Sequence, residues 1–167
     1  MGLRTTIIGV LGLILAACSG YSPLYKSLEG QGLADVHVRN IAMQEVKRAA
    51  GERRVAQLVT QKLMRRFSGA EHAPYVLDMA IEEVLSTIAV RRDATDQRFS
   101  LQLNGRIYLY RGEEKVMDVI LSTSAAYNVE DSPYGTEAGR ERARQSAAST
   151  LSDEVLLQVA RYLADVR

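Results

Sequence analysis

Two histidines, one cysteine and a few paired charges are the groups in this sequence with the means to do chemistry, and their spacing limits what each could do. His37 and His72 are not spaced as metal ligands and have no cluster of further donors beside them, so no metal site is expected. Glu82-Glu83 and Glu113-Glu114 are adjacent carboxylates. Neighbours on a strand point to opposite faces, so neither pair builds a two-carboxylate site, and both read as solvated strand ends. There is no Gly-rich phosphate loop and no Gly-x-Ser-x-Gly elbow. The sequence therefore offers no catalytic residue and implies no cofactor. Two features suit binding instead. Arg91 and Arg92 lie near the tip of a polar stretch from Ser86 to Arg98, and with Arg106 they could pair bidentately with phosphates. The ordinary alternative for such a charge run is a solvated surface. Tyr108 and Tyr110 share the alternating phase of Arg106. Half-exposed strand tyrosines are common, but Tyr with Arg is also the usual anchor of a contact surface, which makes this pair a candidate partner interface.

Cys18, the lone cysteine, follows a start with one basic residue, Arg4, and an uncharged apolar run from Ile7 to Ala17. Basic start, short apolar core and small residues are the three parts of a secretory signal. The run stops at Ser19-Gly20, short of the roughly 20 apolar residues of a membrane span, and it has no polar side for a buried surface helix. Leu15-Ala16-Ala17-Cys18 resembles the bacterial lipobox. The resemblance implies cleavage before Cys18, acylation of its thiol and a membrane anchor. A single chain binds a membrane only marginally, at about 0.8 kcal/mol per buried CH₂, whereas several give stable anchoring.

The full chain carries 21 Lys+Arg and 20 Asp+Glu, and the first seventeen residues hold only Arg4, so the remainder is formally neutral. That balance argues against a nucleic-acid binder held by counterion release and against a basic membrane-surface protein. The expected organisation is a signal peptide at 1–17, a lipidated Gly/Ser-rich tether at 18–33 and one folded domain at 34–167.

Hydrophobic periodicity gives the elements of that domain. Val36 and Val38 alternate with polar residues in a strand at about 34–43. Val55, Leu58, Val59, Leu63 and Phe67 recur at helical spacing within 44–67, and Ser68-Gly69 stops that helix. Period-2 strands follow at about 75–82, 99–110 and 117–127, the last two joined across Arg111-Gly112-Glu113-Glu114 as an antiparallel hairpin. A final helix is expected from about Thr136, as N-cap, to Asp165. Its stripe is Ala143, Ala147, Leu151, Val155 and Val159, and its length roughly 45 Å. One apolar face per strand and one stripe per helix imply an α+β fold, a four-stranded mixed sheet in the order strand-helix-strand-strand-strand-helix. Both helices pack on one face, and the first strand is parallel to its partner. The other face is polar, and no apolar surface patch is evident.

Cys18-Ser19-Gly20-Tyr21-Ser22-Pro23-Leu24-Tyr25 resembles the Cys-Gly-Phe-x-Pro-Leu-Tyr start of mature proteins of the lipopolysaccharide-assembly lipoprotein family, LptE. Here a Ser follows the cysteine and Tyr21 stands in place of Phe. Ala126-Tyr127-Asn128, Tyr134 and the Arg/Ala-rich stretch from Arg140 to Arg144 add to the resemblance, as does the order of elements. It implies a non-enzymatic outer-membrane lipoprotein. Its partners would be the large β-barrel LptD, which such proteins plug and help assemble, and lipopolysaccharide, with Arg91, Arg92 and Arg106 as chemical candidates for the glycolipid. Ser19 in place of Asp after the lipidated cysteine favours the outer membrane. Two other readings stand beside it: an auxiliary lipoprotein of a lipid-transporting ABC system, and a lipid-anchored periplasmic hydrolase using His37 or His72.

Overall fold

The structure is a computed structural model that describes residues 33–43, 52–90 and 97–166. The expected signal peptide, nearly all of the expected tether with Cys18, and the Arg91-Arg92 pair lie outside the described residues. After a short 3-10 turn, Leu33–Asp35, the elements are β1 (Val36–Met43), α1 (Glu52–Met64), β2 (Tyr75–Val90), β3 (Gln97–Arg111), β4 (Glu114–Asn128) and α2 (Pro133–Asp165).

The sheet order is β1-β2-β3-β4. β1 runs parallel to β2, as a crossover through a helix requires, and the other pairs are antiparallel. This is the α+β, four-stranded mixed architecture that the periodicity implies. Leu77, Met79 and Ile81 of β2, Leu101, Leu103, Ile107 and Leu109 of β3, and Met117 of β4 are buried under Val55, Val59 and Leu63 of α1 and Ala147, Leu151, Val155 and Val159 of α2. At about 25 cal/mol per Å² of apolar surface removed from water, this one-sided burial is the main term holding the domain together. Gly105 lies under α2, packed against side chains of both layers: a Cβ there would lie 2.3 Å from Met79 Cε and 3.2 Å from Leu151. Gly112, at φ +61, makes the turn between β3 and β4 in a backbone region that suits glycine.

The largest differences from the sequence reading are at three boundaries. β2 and β3 run on to Val90 and back from Gln97, pairing Leu85 with Leu101 and Thr87 with Phe99, so much of the expected polar link is sheet. Helix α2 begins at Pro133, with Ser132 as the N-cap residue, because proline fits the first helical position, where its missing N–H is not needed. Thr136 is therefore inside the helix. Its hydroxyl donates to the Glu130 carbonyl at 3.1 Å and accepts from the Glu130 N–H at 2.9 Å, tying the preceding loop to the first turn. The expectation of no apolar surface also needs correction. Val84, Leu85 and Ile88 near the far end of β2 are exposed, as are Ile120 and Tyr134.

Candidate functional site

The outward face of the sheet collects the candidate side chains. Alternation puts Arg106, Tyr108 and Tyr110 of β3 on that face, and the register sets Tyr108 between Asp78 of β2 and Asp118 of β4. Arg106 is not a free cation. Its Nε and one Nη donate to the two carboxylate oxygens of Asp118 at 2.8 and 3.0 Å, a bidentate pair. Lys115 donates to the same carboxylate at 2.8 Å. The Arg106 and Lys115 cations also lie 5.4 and 5.5 Å from the Tyr108 ring centroid, within cation–π range. Arg39 of β1 pairs with Asp78 through two nitrogens and reaches across β2 to lie 5.4 Å from the Tyr110 centroid.

Electrostatics follow from that wiring. Hydrogen bonds from Arg106 and then Lys115 pull the Asp118 carboxyl down to about 2. The same bonds, seen from the other side, raise Arg106 and Lys115, and the bond to Asp78 raises Arg39. Beyond this group the face continues as a network of amides and a hydroxyl that ends on a carboxylate. Gln102 donates to Asn104 at 2.9 Å and Ser122 at 2.7 Å, Ser122 donates to Asn104 at 2.8 Å, and Asn104 donates to Glu82 at 3.4 Å. The face is a largely self-satisfied polar surface, interrupted by the exposed Val84 and Ile120, with two half-buried tyrosines held in place by cations.

Glu82 and Glu83 do point to opposite faces, but they are not solvated strand ends. Glu83 turns under the helices and meets Arg144 of α2 through three contacts of 2.9 to 3.2 Å, with both side chains only 5% exposed. Burial works to lower the Arg144 pKa, but the bond to Glu83 and its charge outweigh that, and the guanidinium ends up raised. Sequence reasoning missed this pair. The available signal was phase: Glu83 continues the inward series Leu77, Met79, Ile81, and Arg144 neighbours Ala143 and Ala147 on the buried stripe.

His37 is half-buried and bonds the Gly69 carbonyl through Nδ1 at 3.2 Å, and His72 is exposed in the loop before β2. Among the described residues no group of three or more His, Cys, Asp or Glu is placed to hold a metal ion, and no helix is long and apolar enough to cross a membrane.

These features define a class: a two-layer α+β domain with helices on one face of a mixed sheet and a polar, internally bonded surface on the other. The same fold occurs in three bacterial structures. A Caulobacter crescentus protein described as a candidate lipoprotein matches with a TM-score of 0.58 at 18% identity, over 84% of this chain and 98% of its own. A minor lipoprotein of Acinetobacter baumannii matches at 0.51 and 10% identity, over 74% and 93%. The rare lipoprotein B of Shewanella oneidensis matches at 0.51 and 11%, over 77% and 98%. No family model matches the chain, and no curated protein matches its sequence.

Proposed function

We propose that the protein is a lipid-anchored lipoprotein of the outer membrane. It acts by binding rather than catalysis: it occupies an LptD-type β-barrel as plug and assembly partner and assists lipopolysaccharide insertion into the outer leaflet. The observation that carries this reading is the outward sheet face. A wet barrel lumen is lined by polar side chains, and a surface matched to it should be polar, rigid and already hydrogen-bonded, so that little desolvation cost arises on docking. The Arg106–Asp118–Lys115–Tyr108 group and the Gln102–Asn104–Ser122 network have that character. The lipobox-like stretch before Cys18 and a fold shared with chains described as lipoproteins support the anchor.

Within this reading, Arg106 belongs to the partner surface with Tyr108 and Tyr110, because Asp118 occupies its fork. Contact with glycolipid phosphates then falls to Arg91 and Arg92. The test is a pull-down from detergent-solubilised outer membranes. Wild-type protein should retain a large barrel protein, and Tyr108→Ala/Tyr110→Ala should retain much less while keeping its melting temperature. Recovery of an inner-membrane transporter complex instead would favour the ABC-auxiliary alternative. Charge reversal at Arg91 and Arg92 should weaken lipopolysaccharide binding without moving the melting temperature, and undiminished binding would remove that assignment.

A further inference from the structure

β4 is the last strand of the sheet, and among the described residues no strand pairs with its outer edge. Its two halves are built differently. Residues 114–118 carry Glu114, Lys115 and Asp118, and the register slips beside Tyr110. Charges and irregularities of this kind discourage a further strand from pairing. Residues 119–128 contain no charge and no proline, and their register with β3 is unbroken. The natural protections of an edge stop halfway along it.

Helix α2 lies over that unprotected half. Gly139 sits against Tyr127 and Asn128, and Thr123 Oγ1 donates to the Ala147 carbonyl at 3.1 Å. Farther along, Leu151 meets Gly105 on β3 and Tyr162 meets the Tyr75 ring on β2, so the helix crosses the sheet diagonally and only its first half is at this edge. Between them is an open groove of about 490 Å³. Residues 124–128 of β4 and Glu130 of the following loop line it, with Gly139, Arg142 and Ser146 of α2 opposite.

The lining decides what fits. An acyl chain would strip water from Ser124, Asn128, Ser146 and Arg142 without replacing their hydrogen bonds, whereas an extended peptide supplies donors and acceptors to a strand edge along its length. The small groups at Gly139 and Ser146 leave room for side chains under the helix. Among the described residues Arg142 has no carboxylate partner, only a bond from its Nε to the Ala138 carbonyl, and with Glu130 also lining the groove it is the Arg142 end that suits an acidic side chain. A second copy fits poorly. A helix roughly 10 Å wide over β4 covers much of the place that a neighbouring strand, about 4.8 Å away, would take, and two such edges facing each other would bring two helices into one space.

We propose that the 119–128 edge of β4 takes one extended segment of the barrel partner as a fifth strand, with an acidic residue beside Arg142. This rests on the plug reading, and the experiment separates the two. Photoreactive benzoylphenylalanine is placed singly at Ala126, Ser146 and Tyr110 of the full-length protein in cells, and crosslinked peptides are identified by mass spectrometry. Crosslinks from Ala126 and Ser146 that map to one short stretch of the barrel protein support the inference. Two variants should then reduce them at least tenfold: Ala126→Lys, an exposed edge charge, and Gly139→Leu, whose Cβ meets Tyr127 and Asn128 at ordinary contact distances and whose side chain would fill the groove. Both should leave the melting temperature and the Tyr110 crosslink unchanged. Barrel crosslinks from Tyr110 alone overturn the inference and leave the plug reading standing. Crosslinks from Ala126 to a second copy, to lipid or to sites scattered over the partner overturn it as well, and barrel crosslinks from none of the three positions overturn both.

Discussion

The two faces of the sheet each hold an arginine forked onto a carboxylate, and the pairs are opposite cases. Arg144–Glu83 is buried between α2 and β2, whereas Arg106–Asp118 lies in solvent on the outward face. The bonds are of similar length, so geometry does not distinguish them. Surroundings do. Removing one partner of a buried pair strands a charge without water, while an exposed partner is rehydrated at once. The first pair therefore belongs to the stability of the domain and the second to its surface chemistry.

The sharpest way to break that contrast is to cut each pair. Arg144→Ala or Glu83→Ala should destabilise the domain by about 3–5 kcal/mol in urea unfolding. The double change Glu83→Leu/Arg144→Met should recover most of that loss, because a packed apolar pair needs no charge compensation. If the single changes cost no more than an ordinary surface substitution, the pair is not desolvated as described. Next in size is Gly105→Ala, which forces Met79 to shift and crowds Leu151. Overpacking of that kind should cost about 1–3 kcal/mol in the same measurement. Arg106→Ala should leave the melting temperature within the scatter of surface substitutions while lowering retention of the proposed barrel partner in pull-downs.

The smallest effect is in pH. Asp118 is held at about 2, below its ordinary 3.8, so its pairing contributes stability above pH 4 and loses it as the pH falls through about 2. The melting-temperature gap between wild type and Asp118→Asn should be present at pH 6 and close across that window. A gap that persists at pH 2 would mean that Asp118 acts through something other than its charge.

Much of the fold was legible because it rests on local period. The inward phase of β3 and the stripe of α2 appear in the sequence as they do in the core, and the need for a crossover after β1 set its parallel pairing. What escaped was decided across distance. The stretch from Ser86 to Arg98 reads as a polar link because of the charges near its tip, yet cross-strand pairs such as Thr87 with Phe99 carry the sheet on into it. Pro133 reads as a break and serves as a helix start. For the site, phase alone put Arg106, Tyr108 and Tyr110 on one face. That Arg106 is already engaged could not be read, since Asp118 is twelve residues away on another strand. Glu83 and Arg144, 61 residues apart, show the same limit more strongly.

The parallel pairing of β1 is the least local in the sheet. β2, β3 and β4 form a meander whose partners are near in sequence, so they can zip up locally. β1 is made first, yet it has no neighbour until β2 exists and the crossover closes over it. The leading strand therefore closes a longer loop than the hairpins do, and lengthening the crossover should slow its docking more than any change within the meander.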